Sequence, residues 1–202
     1  MKLFVCSALL VLGAYCSYAQ SYTDEIVQWR EHYKQEFLTD SHSPLKANDT
    51  GFLRFYAPDE QYRVKAIFVL TPQSKPFSIE THSGKKKPYR CYGRLQFNVN
   101  GKKCSLEVYQ GLDLIKKPEL KDYLFIPFTD LTNNETTFGG GRYIDLKTED
   151  IQNGSLLLDF NKAYNPYCAF GEGYSCPIPP DANKLQVRIE AGEKLFGRQT
   201  TD

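Results

Sequence analysis

Residues 23–40 carry the hydrophobic pattern of one amphipathic helix. Apolar and aromatic side chains recur there at three- and four-residue spacing, at Ile26, Trp29 or Arg30, Tyr33 and Phe37. That spacing places them on one helical face. Thr23 is a suitable N-cap for this helix. We expect the helix to end by Asp40, because the Ser43-Pro44 pair disfavours helical backbone.

From residue 51 onward the pattern changes to short runs of β-branched and aromatic residues, bounded by Gly, Pro, Asn and Lys. Such runs predict strands, and they occupy residues 51–56, 62–70, 77–82, 89–99, 102–110, 123–129, 141–146, 155–160 and 185–190. The turn signals between them leave no room for crossover helices, so we expect antiparallel pairing. The sequence therefore predicts a single mostly-β domain, an antiparallel β-sandwich or open barrel with an N-terminal amphipathic helix.

The clearest local signal is Asn100-Gly101, which favours a type I′ hairpin turn. The register that follows places Phe97 opposite Cys104 and Cys91 opposite Gln110. The two cysteines then share a face but lie about 20 Å apart along it. A disulfide between them would require a bulge or a break in the hairpin.

The N-terminus has the pattern of a secretory signal peptide. Lys2 precedes an apolar run over residues 3–13, and Ala19 is the small residue before the expected cleavage point. The apolar run is too short for a membrane span, which needs about 20 residues. We therefore expect residues 1–19 to be a signal peptide, residues 20–202 to form the domain, and the protein to be secreted or periplasmic with no transmembrane anchor.

The charge balance argues against a nucleic-acid partner. Removing Lys2 with the signal peptide leaves equal numbers of basic and acidic residues, whereas nucleic-acid binders carry a basic excess. The one basic cluster, Lys85-Lys86-Lys87 with Arg90, stands between Gly84 and Pro88. We interpret it as a solvated loop.

Four cysteines remain beyond residue 19, an even number in an exported chain. Cys168 and Cys176 flank a small loop that contains Gly171 and Gly173. We expect these two cysteines to form a disulfide. Their spacing lacks the close Cys or His pairs of structural zinc sites, and we expect neither a metal nor a cofactor.

A first group of candidate binding residues follows the apolar run that ends at Asp159. Asp159 and Asn161 lie on one face if the strand continues, and Tyr164 and Asn165 come next. Carboxylate and amide oxygens suit a sugar's hydroxyls or a hard cation. Alternatively, the Asp and Asn side chains cap a turn by bonding their own backbone.

A second candidate is the run Gly139-Gly140-Gly141-Arg142-Tyr143. Glycines let backbone N–H groups approach a ligand closely, and a guanidinium can hold a carboxylate or phosphate. Alternatively, Arg142 pairs with an internal acid such as Glu190. Only about ten residues join the strand after Gly141 to the strand ending at Asp159, so we expect these strands to pair and Arg142 to meet Asp159.

With these motifs in view, the chain resembles the bacterial family known as domain of unknown function 1684. The resemblance rests mainly on TFGGGRY, DFNKAYNPYCAF, SCPIPPDANKL and IEAGEK. It implies a compact, largely β domain, often secreted or periplasmic, with no established activity. Its motif segments contain Arg142, Tyr143, Asp159, Asn161, Tyr164, Asn165, Cys168 and Cys176.

Three functions follow as hypotheses. The first is binding of a small polar or anionic ligand, such as a sugar or a carboxylate, at Arg142, Tyr143, Asp159, Asn161, Tyr164 and Asn165. The second is a hydrolase of cell-envelope or glycan material, with Asp159 or Glu190 as general acid or base. The third is a structural or interaction domain whose polar residues are satisfied internally. The sequence contains no HExxH, GxSxG or P-loop motif that would favour a particular reaction.

Overall fold

The computed structural model describes the backbone of residues 4–197 and the side chains of residues 21–197. The predicted signal peptide lies outside the residues whose side chains are described. Helix α1 spans Phe4–Thr39, so its end confirms the prediction. Its start does not, because Thr23 lies inside the helix. The predicted apolar face is buried at Ile26, Tyr33 and Phe37.

Within residues 4–197, seven strands form one antiparallel half-barrel. They are β1 (Arg63–Leu70), β2 (Phe77–Glu80), β3 (Lys86–Val99), β4 (Lys102–Gly111), β5 (Tyr123–Phe128), β6 (Arg142–Lys147) and β7 (Ser155–Asp159). The order across the sheet is β6-β5-β4-β3-β1-β7, and β2 pairs with the start of β3. The mostly-β, open-barrel prediction is thus confirmed.

β6 and β7 are the two edges of this sheet. The expectation that they pair with each other was wrong. The connection between them, which includes the short turn Thr148–Asp150, runs from one edge of the sheet to the other. Strands that are close in sequence are often neighbours in a sheet, but this is only a tendency. β6 and β7 do not follow it.

The β3–β4 hairpin turns as predicted, with φ of 50° at Asn100 and 72° at Gly101. Phe97 lies opposite Cys104, as expected. A bulge between Cys91 and Gly93 then shifts the register, so that Cys91 faces Tyr109 rather than Gln110. An extra residue moves the following side chains to the other face. Cys91 thereby joins an aromatic cluster, and both it and Cys104 are free thiols.

Two of the predicted strands, 51–56 and 185–190, are not strands in the described part of the chain. In the second, Leu185, Val187 and Ile189 are buried in alternation, as in a strand. Their backbone bonds go to the loop after β5, however, since Leu185 N donates to Thr129 O and Val187 O accepts from Leu131 N. This extended segment closes one part of the core without joining the sheet ladder.

The lysine run predicted as a loop lies partly in a strand. Lys86 and Lys87 begin β3, and Lys86 forms an exposed ion pair with Glu80 at 3.4 Å. The lysines are solvated, as expected, because they lie at the exposed end of the β2–β3 hairpin.

Candidate functional site

A cleft of about 1440 Å³ lies between helix α1 and the two edge strands of the half-barrel. Aromatic side chains form much of its wall: Trp29, Tyr33, Phe37, Tyr143, Tyr164, Tyr167 and Tyr174. Charged side chains of both signs complete it: His32, Glu36, Arg63, Lys65, Lys87, Asp145, Glu149, Asp150, Asp159 and Lys162. The cleft exists because the barrel is open and α1 packs beside the opening.

Asp145 is a polar residue of this cleft whose carboxylate is fixed by two tyrosine hydroxyls. It lies two residues after Tyr143 in β6, so both side chains are on one face of the sheet. Its Oδ1 accepts a hydrogen bond from the Tyr123 hydroxyl at 2.7 Å. The Tyr164 hydroxyl lies 2.8 Å from both carboxylate oxygens. The carboxylate is thus held in place while the side chain stays exposed to the cleft.

The surroundings of Asp145 weaken its acidity. Its removal from bulk water by the walls of the cleft raises the carboxyl pKa to about 6, although the hydroxyls of Tyr123 and Tyr164 lower it. Burial, with the nearby carboxylate, raises the pKa of both tyrosines well above the ordinary value. The tyrosines therefore remain protonated hydrogen-bond donors at physiological pH.

Asp145 has no cationic partner among the residues whose side chains are described. Two of the bases that line the cleft, Arg63 and Lys162, pair with Glu25 instead, at 3.4 and 2.8 Å. Both of those contacts lie on the β7 side of the cleft, at the start of β1 and in the segment after β7. The carboxylate of Asp145 is therefore available to a ligand.

A chain of aromatic contacts connects Asp145's strand to the helix. Tyr143 packs edge-on against Phe125, with ring centroids 4.7 Å apart, and against Tyr164 at 5.8 Å. Tyr164 in turn lies 5.8 Å from Tyr33 of α1. These contacts fix the relative positions of the rings in the cleft wall.

Of the residues predicted for a site, Tyr143, Asp159 and Tyr164 line the cleft. Asp159 also has a structural role, because its Oδ1 accepts from the backbone N–H of Asn161 at 2.9 Å and caps the turn that follows. Tyr22 of α1 donates to both oxygens of Asp159 at 3.1 Å. The turn-capping alternative therefore describes Asp159 and Asn161 better than paired ligand contacts do.

Arg142 is fully buried and does not line the cleft. It forms an ion pair with Asp130 at 2.7 Å and donates to the carbonyl oxygens of Ile189 and Ala191. The expected pair with Asp159 was therefore wrong. An internal acid does hold Arg142, as the alternative proposed, but that acid is Asp130.

The other acid named for Arg142, Glu190, lies at the surface and pairs with Arg188 at 3.1 Å. It does not line the cleft.

Asn161 and Asn165 are likewise buried structural residues. The Asn161 side chain bonds both the N–H and the carbonyl of Asp59, at 2.9 and 2.8 Å. Asn165 donates its backbone N–H to Oε2 of Glu193 and its side-chain amide to the carbonyl of Lys194, each at 2.8 Å. These contacts fix the backbone on both sides of Tyr164.

Close packing explains the glycine run. Gly141 has φ of 88°, and a Cβ there would lie 2.6 Å from the carbonyl oxygen of Phe128. A Cβ on Gly139 would overlap the Asn134 side chain. The glycines permit a tight turn before β6 and thereby set the position of Tyr143 and Asp145.

The predicted disulfide is present between Cys168 and Cys176, whose Cα atoms are 6.2 Å apart. Cys176 lines the cleft together with Pro177. The Tyr143 hydroxyl donates to the carbonyl of Pro177, so the disulfide loop is anchored to the wall that contains Asp145.

Sequence reasoning missed Asp145 and Tyr123. A signal for Asp145 was present, because this charged residue comes two positions after Tyr143 and stands between the apolar residues Ile144 and Leu146. Such a residue faces the same side as Tyr143 and is out of place unless that side meets solvent or a ligand. Tyr123 gave no comparable signal, since a tyrosine is ordinary in a strand.

Among the described residues, no helix has the length and apolar character needed to span a bilayer. Within the same part of the chain, no three or more His, Cys, Asp or Glu residues are grouped so as to hold a metal ion.

The family model described as protein of unknown function (DUF1684) matches residues 51–194. The chain belongs to this family. It is also similar to the uncharacterized protein from gene locus rrnAC0354 of Haloarcula marismortui, known from a solution NMR structure, with a TM-score of 0.67 and 28% sequence identity. The similarity covers 88% of this chain and 96% of that one. No curated protein matches the chain.

Proposed function

We propose that the cleft binds a small polar ligand, and that the ligand is a sugar. One observation carries this proposal: the Asp145 carboxylate is exposed to an aromatic-walled cleft and is held there by the hydroxyls of Tyr123 and Tyr164. Ligand sites typically combine a largely apolar wall with a few fixed polar groups. Sugars match that combination, since their C–H faces pack on aromatic rings and their hydroxyls donate to carboxylates.

A carboxylate ligand is the less favourable of the two classes expected from the sequence. The guanidinium that would hold it, on Arg142, is engaged by Asp130 in the core. Asp145 at the cleft wall repels an anion. The cleft also exceeds the 300–1,000 Å³ common for small-ligand sites, so we propose an oligosaccharide of a few units.

A thermal-shift screen of neutral β-1,4-linked trisaccharides of glucose and N-acetylglucosamine tests this function. A ligand at a hundred times its Kd stabilises the folded state by about 2.7 kcal/mol. We expect a higher Tm with at least one trisaccharide, a severalfold weaker Kd for Asp145→Asn, and an unchanged Kd for Asp113→Asn. Asp113 is an exposed acid paired with Lys116 outside the cleft. If no sugar raises the Tm, or if Asp145→Asn binds as wild type does, the proposal is wrong.

A second candidate is hydrolysis of a bound glycan, with Asp145 as general acid. The observation that favours it is a pKa of about 6 for a carboxyl group inside a cleft, since catalytic acids are tuned toward the working pH. Asp159, the acid named from the sequence, lines the same cleft. Chromatography of trisaccharides incubated with wild type and with Asp145→Asn tests it. Shortened products from wild type alone are expected if the candidate is right.

We also propose that the protein acts in a secreted or periplasmic setting. The Cys168–Cys176 disulfide supports this, because such bonds persist in oxidising compartments. The apolar run after Lys2 supports export as well. Intact mass of the exported protein should place the mature N-terminus at Gln20. A mature chain that still begins at Met1 would contradict the proposal.

A further inference from the structure

We propose that the ligand of the cleft carries a protonated amine and that this cationic nitrogen binds the Asp145 carboxylate. The inference rests on the proposed function, because it specifies the chemical class of the same ligand. An amino sugar meets both requirements.

The first support is the unbalanced charge of Asp145. Among the described residues it forms no ion pair, and Glu36 of α1, which lines the same cleft, is another acid. A carboxylate drawn out of bulk water without a counter-ion is unfavourable. A ligand amine would form a charge-assisted hydrogen bond with it.

The second support is the free bonding capacity of that carboxylate. Oδ1 already accepts from both Tyr123 and Tyr164, whereas the one donor to Oδ2 among the side chains that the structure describes is the Tyr164 hydroxyl, which it shares with Oδ1. An ionised carboxylate has about four acceptor positions. Oδ2 therefore retains lone pairs for a donor in the cleft.

The third support is the aromatic wall beside Asp145. Tyr143, Tyr164 and Tyr33 form a continuous series of ring contacts, at 5.8 Å for each neighbouring pair. The electron-rich faces of such rings attract cations within about 6 Å. An aromatic wall joined to an unpaired carboxylate therefore suits an organic ammonium group better than a neutral hydroxyl.

The other charges that line the cleft are of both signs. Glu149 and Asp150 are acids in the segment after β6, where Glu149 pairs with Lys147 at 3.7 Å. Lys65 and Lys87 also line the cleft, but neither forms an ion pair with Asp145. The ammonium group is thus expected at the β6 side of the opening.

A pair of trisaccharides that differ in one atom group tests the inference. β-1,4-linked glucosamine trisaccharide carries an amine at C2 of each ring where cellotriose carries a hydroxyl. We expect calorimetry at pH 7 to give a Kd at least tenfold lower for the amine, and we expect Asp145→Asn to reduce this ratio to about one. Asp113→Asn should retain it. Added salt should weaken amine binding and leave cellotriose nearly unaffected.

The wild-type comparison requires no variant, so misfolding of Asp145→Asn cannot obscure it. Equal affinities, or tighter binding of cellotriose, would overturn the cationic ligand while leaving sugar binding intact. A preference for the amine that persists in well-folded Asp145→Asn would overturn Asp145 as its partner. Absence of binding by both trisaccharides, and by the neutral panel, would overturn the inference and the proposed function together.

Discussion

Tyr164 donates its hydroxyl to Asp145, lying 2.8 Å from both carboxylate oxygens, although 19 residues separate the two in sequence. The backbones of Tyr164 and Tyr143 are also paired, through N–H···O bonds of 3.0 and 2.9 Å. The segment after β7 thus returns to the free edge of β6 and takes the place of a strand neighbour there. This return brings the acid, its donor and the aromatic wall together.

The first prediction concerns the Tyr164 hydroxyl. Because its hydrogen bond favours the ionised form of Asp145, Tyr164→Phe should raise the Asp145 pKa above its value of about 6. Carboxyl chemical shifts followed by NMR through a pH titration measure this. Tyr174→Phe is the matched control, since Tyr174 also lines the cleft but donates to the carbonyl of His42. An unchanged pKa in Tyr164→Phe would show that the bond does not form in solution.

The second prediction concerns Arg142. Removal of one partner from a buried ion pair leaves an uncompensated charge and costs about 3–5 kcal/mol. Arg142→Met, which strands Asp130 in the core, should therefore lower the free energy of unfolding by about that amount in urea. Arg188→Met removes a surface pair with Glu135 and should cost at most about 1 kcal/mol. Similar losses in the two variants would contradict the structural role assigned to Arg142.

The segment that contains Arg142 illustrates which features could be predicted from the sequence and which could not. The glycine run before Arg142 marked a special segment, and the segment is indeed tightly packed. The partner of Arg142 depended on which strands are neighbours, and sequence spacing suggested β7 where the sheet has β5. The order of strands depends on how the whole sheet assembles, and a local sequence pattern does not determine it.

Local patterns were reliable where the chain's own geometry decides the structure. Asn100-Gly101 determined the hairpin turn because both positions require positive φ. The bulge at Cys91 escaped prediction, since it depends on which face of the sheet must bury that side chain. Asp145 escaped attention for a related reason. Its role appears only when β6 is an edge strand that faces the helix across the cleft.

The third prediction concerns the disulfide. Chain-entropy arguments for a closed loop of about eight residues give roughly 2–3 kcal/mol of stabilisation. Replacing Cys168 and Cys176 together by Ser should therefore lower the free energy of unfolding by about that amount, measured in urea. It should also weaken sugar binding, because the bonded loop carries part of the cleft wall. Cys104→Ser, at a free thiol, should leave sugar binding unchanged. A double variant as stable as wild type would contradict the first expectation.

The fourth prediction concerns Glu193, a fully buried acid beneath the cleft. Its Oε2 accepts from the Tyr33 hydroxyl at 2.9 Å and from the Asn165 backbone at 2.8 Å. Its Oε1 has no hydrogen-bond partner among the described residues. Burial raises the Glu193 pKa to about 8, although these donors and Arg142 lower it. The carboxyl group is thus protonated at neutral pH.

The direction of the resulting pH dependence follows from the raised pKa. The folded state holds a proton that the unfolded chain, with an ordinary pKa near 4.5, has released. The contribution of Glu193 to stability is therefore complete below about pH 4.5 and is lost as the pH rises through about 8. Asp145, whose pKa is about 6, is mostly ionised above pH 6.5, so the window from pH 6.5 to 8 isolates Glu193.

Urea unfolding of wild type and Glu193→Gln across this window measures the effect. At about 1.4 kcal/mol per pH unit, wild type should lose on the order of 2 kcal/mol relative to Glu193→Gln, which carries no titrating proton. Glu190→Gln, at an exposed acid paired with Arg188, should follow wild type. Parallel curves for wild type and Glu193→Gln would show that Glu193 is ionised in the folded protein.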